Sequence, residues 1–99
     1  ALDARAATLG QRLTDGLRAA LGTLDGVTDI RGRGLMIGIE FDRPCGALVA
    51  LGLEAGVLVN VTADRVLRLL PPLILSEAEA DELLARVVGI VRRFLDMPA

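Results

Sequence analysis

The 99-residue chain contains no histidine, lysine, tyrosine or tryptophan. Those absences remove the commonest general bases and every side-chain amine able to form a Schiff base. On this chemistry a self-contained enzyme is not expected. The single cysteine, Cys45, excludes an internal disulfide and fits a reducing compartment. With no histidine to activate it, Cys45 reads as a small buried apolar residue rather than a nucleophile. There are two aromatic residues, Phe41 and Phe94, and the net charge is -2. Acids and bases are interspersed without a basic block, so nucleic acid has no footprint here. No apolar run approaches the ~20 residues that span a bilayer. No charged-then-apolar signal segment opens the chain. Neither a nucleic-acid partner nor a membrane is expected.

Apolar residues are what the chain has in excess. They make up 53% of it, with 11 glycines besides, against a combined share of ~45–50% in ordinary globular domains. Two causes fit. All the basic residues are arginine, and alanine and leucine abound, as in a GC-rich genome; or part of the surface is meant to be covered. The second cause predicts an exposed apolar surface on the first helix and part of the sheet. The length suits one domain over residues 1–99, with a real core but a large surface for its volume. The first residues, Ala1 and Leu2, already belong to a helical pattern and no Met precedes them. A piece of a longer protein is therefore expected.

Leu2, Ala6, Leu9, Leu13, Leu17, Ala20, Leu21 and Leu24 recur at three- and four-residue steps, which predicts an amphipathic helix over about residues 2–22. Gly10 and Gly16 each cost such a helix up to ~1 kcal/mol relative to Ala. Leu24-Asp25-Gly26 turns the chain. Val27 to Phe41 holds two extended pieces joined at Arg31-Gly32-Arg33-Gly34. In the second, Leu35, Ile37, Ile39 and Phe41 share one face, and Met36, Gly38 and Glu40 the other. Gly38 would let another element approach that face closely. The Gly32/Gly34 pair lacks a following helix and the full glycine fingerprint of a phosphate cradle, so a bulge or bend is expected there. A second helix is expected from Asp42-Arg43-Pro44, capped by Asp42 or its neighbour and ended by Gly56. Ser76-Glu77-Ala78-Glu79 is a capping box that opens a third helix. Its apolar stripe runs Ala80, Leu83, Leu84, Val87, Val88, Val91, Phe94 and Leu95. Acids crowd its start and Arg92 and Arg93 its end, as the helix dipole favours. The acidic group lacks histidine and has the spacing of a solvated helix start, so no metal site is expected.

Two more strands fall between those helices. Val57, Leu58, Val59 and Val61 read as one, Val66 to Leu70 as the next, with Asp64 the turn former between them. Pro71 and Pro72 stop the ladder because neither can donate an N–H. Arg68 sits inside the second strand, sharing a face with Val66 and Leu70. A guanidinium among aliphatics must reach water or meet a carboxylate or phosphate. Arg68 is thus either an anion-binding residue or a surface charge marking an edge strand. If it braces the fold instead, Glu40 is the candidate partner.

The predicted fold class is α+β: a small mixed or mostly antiparallel sheet of three to four strands with three helices packed against it.

Ile30-Arg31-Gly32-Arg33-Gly34-Leu35-Met36-Ile37-Gly38-Ile39-Glu40, followed by Gly56-Val57-Leu58-Val59-Asn60 and Val66-Leu67-Arg68-Leu69-Leu70-Pro71-Pro72-Leu73, resembles the C-terminal small domain of class III pyridoxal-phosphate aminotransferases, a fold type I group. Within that class the acetylornithine aminotransferase family is the most similar. The ornithine, succinylornithine and 4-aminobutyrate enzymes are the alternatives. The resemblance covers nearly the whole chain. It implies that Arg68 binds a substrate carboxylate and that Gly32, Gly34 and Gly38 shape backbone. It also implies a pyridoxal phosphate cofactor held by a large domain, a homodimer as the working unit, an amino-acid substrate and a bacterial cytoplasmic location. No catalytic, cofactor-binding or metal-binding residue is expected in this chain itself. The alternative from another class is a free-standing, non-catalytic α+β interaction module.

Overall fold

A computed structural model describes residues 2–71 and 75–98, except the side chains of Leu2 and Asp3. Pro72, Leu73 and the end of the Pro-Pro-Leu motif lie outside the described residues. Among the described residues the order is α1 (Leu2–Leu21), β1 (Val27–Arg33), β2 (Met36–Phe41), α2 (Ala47–Glu54), β3 (Asn60–Thr62), β4 (Val66–Leu69) and α3 (Glu77–Asp96). The four strands form one sheet in the order β1-β2-β4-β3, every neighbouring pair antiparallel. The expected α+β class holds, with the sheet wholly antiparallel.

The alternation read from sequence sets which face is buried. Ile37, Ile39, Phe41, Leu67 and Leu69 point to one side and are buried. Leu9, Leu13, Leu17 and Leu21 of α1 meet them, as do Val87, Ile90, Val91 and Phe94 of α3. Phe41 and Phe94 touch edge to face, ring centroids 5.3 Å apart at 75°, the arrangement favoured by the ring quadrupole. Cys45 lies fully inside this core, and burial pushes its thiol pKa up. Ser76 caps α3 as predicted: its hydroxyl accepts from the Glu79 N–H at 3.1 Å, and the Ser76 N–H donates to Glu79 Oε1 at 3.0 Å. None of the described helices is long and apolar enough to cross a membrane.

Five expectations need correction. The second helix starts at Ala47, with Gly46 as an N-cap that offers no side chain; Asp42 instead accepts from Arg43 Nε at 2.8 Å, so its carboxylate is engaged elsewhere. Val57 to Val59 are outside the sheet, because the Val57 N–H donates to the Gly52 carbonyl at 2.7 Å and closes the end of α2. Of the Gly32/Gly34 pair only Gly34 bends the chain, in the hairpin turn Gly34-Leu35 between the paired residues Arg33 and Met36, whereas Gly32 lies within β1. Gly34 has φ +59 there, as the tightest hairpin turns require; the register shift falls earlier, between Val27 and Asp29. Gly38 admits no close neighbour, since a Cβ there would meet Val66 Cγ1 at an ordinary 3.5 Å. Finally, among the described side chains no large exposed apolar residue lies on α1: Val49 and Leu53 are on α2, Met97 follows α3, and Met36, Leu58 and Leu70 lie at the sheet and its rim, the part of the expectation that holds.

Candidate functional site

The helices cover one face of the sheet and leave the other open. Antiparallel pairing aligns Arg31, Gly38, Arg68 and Asn60 in one row across all four strands. Asp29, Glu40, Val66 and Thr62 form the next row. Long-range pairing therefore brings the hairpin of residues 27–41 beside Arg68, although about thirty positions separate them in the chain.

Arg68 stands on β4, between β2 and β3. It does not lie on an edge strand, which removes that reading of its charge. Its side chain is half-buried. Among the described residues it has no carboxylate partner; its Nη2 approaches the Met36 sulfur at 2.8 Å. Glu40, the candidate brace, belongs to a different arginine. Arg31 Nη1 donates to Glu40 Oε1 at 3.2 Å and to Asp29 Oδ2 at 2.9 Å. Those two hydrogen bonds hold the Arg31 guanidinium above its usual pKa. Thr28 Oγ1 completes the set, donating to Glu40 Oε2 at 3.4 Å. On the open face Arg31 is thus paired with two acids, whereas Arg68 beside it meets none among the described residues.

Two grooves meet at Arg68 and Met36. One, of about 460 Å³, runs over Asn60 toward Leu58 and Leu70. Those two leucines are 86% and 76% exposed, and they give that groove an apolar rim. The other, of about 440 Å³, is bounded by Arg31, Arg33, Thr62 and Ala63, with side-chain-free Gly38 as its floor. The β3–β4 turn at its edge places both Ala63 and Asp64 at positive φ, +50 and +61. A guanidinium facing such a groove offers a planar fork that can take a carboxylate through two N–H bonds. Asp64 and Arg68 were legible in the sequence; Met36, Asn60 and Arg31 as neighbours of Arg68 were not, because the strand registers set them there: β3–β4 for Asn60, β2–β4 for Met36, and β1–β2 with β2–β4 for Arg31.

Residues 1–91 match the aminotransferase class-III family, and the chain belongs to it. Over 92 residues it is 50% identical to acetylornithine aminotransferase 1 of Bordetella bronchiseptica, covering 93% of this chain and 23% of that protein. The ornithine aminotransferase of Toxoplasma gondii, crystallised with partial occupancy of pyridoxal phosphate at its active site, superposes with a TM-score of 0.88 at 30% identity, over 96% of this chain and 24% of the other. The acetylornithine aminotransferase of Elizabethkingia anophelis gives 0.83 at 26% identity, over 93% and 25%. The chain therefore spans only about 23% of the length of the curated relatives it matches. The family implies pyridoxal phosphate. This chain has no lysine to hold that cofactor through its carbonyl, so its own residues do not make the covalent site.

Proposed function

We propose that this chain is the C-terminal small domain of an acetylornithine aminotransferase. That enzyme transfers an amino group between N2-acetylornithine and 2-oxoglutarate in arginine biosynthesis. The observation that carries this reading is the roughly 50% identity to acetylornithine aminotransferases along nearly the whole chain. In this reading Arg68 is the domain's contribution to the active site, a fork for a substrate carboxylate. The unneutralised guanidinium beside two grooves supports it. A large domain supplies the lysine and the remaining contacts to pyridoxal phosphate, and two subunits pair in the cytoplasm. The runner-up is an ornithine aminotransferase, favoured by the superposition on the Toxoplasma gondii enzyme.

The complete gene product decides among these. Its mass is expected at roughly four times the 10.4 kDa of this chain, as 23% coverage implies. Supplied with pyridoxal phosphate and 2-oxoglutarate, it should have its highest kcat/KM with N2-acetylornithine. Preference for ornithine would select the runner-up. A natural product near 10 kDa would overturn the enzyme reading in favour of a free-standing interaction module. The purified 99-residue chain should show no turnover.

A further inference from the structure

Met36 lies on β2, on the same open face as Arg68, and its sulfur is the acceptor that the guanidinium approaches at 2.8 Å. The same two side chains line both grooves, so the direction in which Arg68 points decides which groove presents the cation. We propose that Met36 is a positioning residue, a weak brace that holds Arg68 Nη2 and leaves the other N–H groups of the guanidinium free to take a carboxylate. This inference rests on the reading of Arg68 as the substrate anchor.

The strength of the brace has to match its task. A long arginine side chain with no partner spends its time over many rotamers, and ordering it on binding costs free energy. A carboxylate brace would order it fully, but charge-assisted hydrogen bonds are about twice as strong as neutral ones. A substrate carboxylate would then have to displace an equal competitor. A thioether is a weak acceptor. It can bias the rotamer without competing with a carboxylate for the rest of the fork. The nearest acids do not compete: Glu40 and Asp29 are both held by Arg31. Met36 itself is 49% exposed, so replacing it disturbs little of the core.

The test uses the full-length enzyme with three single variants: Met36→Leu, Met36→Glu and Arg68→Lys. Leucine conserves volume and is tolerated well, but it offers no acceptor. Losing one weak hydrogen bond should raise the KM for the carboxylate substrate about two- to tenfold. The kcat should stay within about twofold, since the contact orders the guanidinium equally for the bound substrate and the transition state and touches no reacting atom. Met36→Glu should raise KM further than leucine does, because the new carboxylate pairs with Arg68 and must be displaced. A raised KM for Arg68→Lys with an unchanged KM for Met36→Leu would overturn the positioning role alone. An unchanged KM for Arg68→Lys would overturn the anchor reading and this inference with it. Should Met36→Glu fold poorly, Met36→Gln carries the same arm with a neutral acceptor stronger than sulfur.

Discussion

Gly10 of α1 lies directly on the Gly34 carbonyl of the β1–β2 turn: a Cβ added to Gly10 would stand 1.8 Å from that oxygen. The helix crosses the hairpin at a distance that only glycine permits. A cost to helix propensity is thereby offset by packing, and the cost alone was visible in the sequence.

Gly10→Ala should accordingly be destabilising, although alanine is the better helix former. The backbone it meets cannot rotate away as a side chain would. Overpacking of this kind costs about 1–3 kcal/mol, or about 4–8 °C of thermal midpoint per kcal/mol in a domain of this size. Gly89 of α3 is the control: it is exposed, and a Cβ there would meet nothing within 4 Å. Gly89→Ala should gain about 0.5–1 kcal/mol. Thermal melts of the two variants should move in opposite directions; equal shifts would show that the crossing is not tight.

Ser76→Ala should remove both halves of the capping box at once. The hydroxyl that accepts the Glu79 N–H disappears, and Glu79 loses the geometry that returns its carboxylate to the Ser76 N–H. A cap of this type contributes about 0.5–2 kcal/mol. Helical circular dichroism at low denaturant should be unchanged, while the denaturation midpoint falls. An unmoved midpoint would mean that packing alone holds the start of α3.

Local chemistry made such features legible. Ser76 and Glu79 are three residues apart, and the strand alternation of Ile37, Ile39 and Phe41 needs no knowledge of partners. Two kinds of feature were not legible: those where a near neighbour competes for the same group, and those whose partner only the fold supplies. Asp42 looked like a cap but is bound to Arg43. Val57 looked like a strand residue, yet its N–H closes α2 on Gly52. Arg68 was singled out by its aliphatic face-mates, whereas its inner-strand position and its contact with Met36 depend on the β2–β4 pairing. The sequence showed which residue was out of place among its neighbours; the fold shows what stands across from it.

Helices α1 and α3 are tied by Arg12, whose Nε and Nη2 donate to the two oxygens of Asp81 at 3.0 and 2.9 Å. This fork holds the Asp81 carboxyl below its ordinary value near 3.8. A folded pKa below the unfolded one stabilises the fold above the unfolded value. That contribution is lost as pH falls through the folded value. The tie should thus be intact at neutral pH and weaken below about pH 4. Asp81→Asn should lower the thermal midpoint modestly at pH 7, because the pair is exposed and screened by salt. The gap between variant and parent should narrow toward pH 2. A gap that stays constant down to that pH would show that the ion pair is not what links the helices.

Arg68→Lys should separate kinetics from stability in the full-length enzyme. Lysine keeps the charge but loses the planar fork. Losing one charged, bidentate contact removes about 1.5–3 kcal/mol of substrate binding, which is about one to two decades in kcat/KM. The loss should appear with both carboxylate substrates, the amino donor and 2-oxoglutarate. The thermal midpoint should hardly change, because the guanidinium meets only the Met36 sulfur among the described residues and braces no acid. Arg31 supplies the contrast: bound to Asp29 and Glu40 on the same face, it already has its anions. Arg31→Lys should leave kcat/KM close to that of the parent and lower the midpoint only by the small worth of an exposed pair. A kinetically normal but thermally weakened Arg68→Lys enzyme would reverse the roles of the two arginines and make Arg68 the brace.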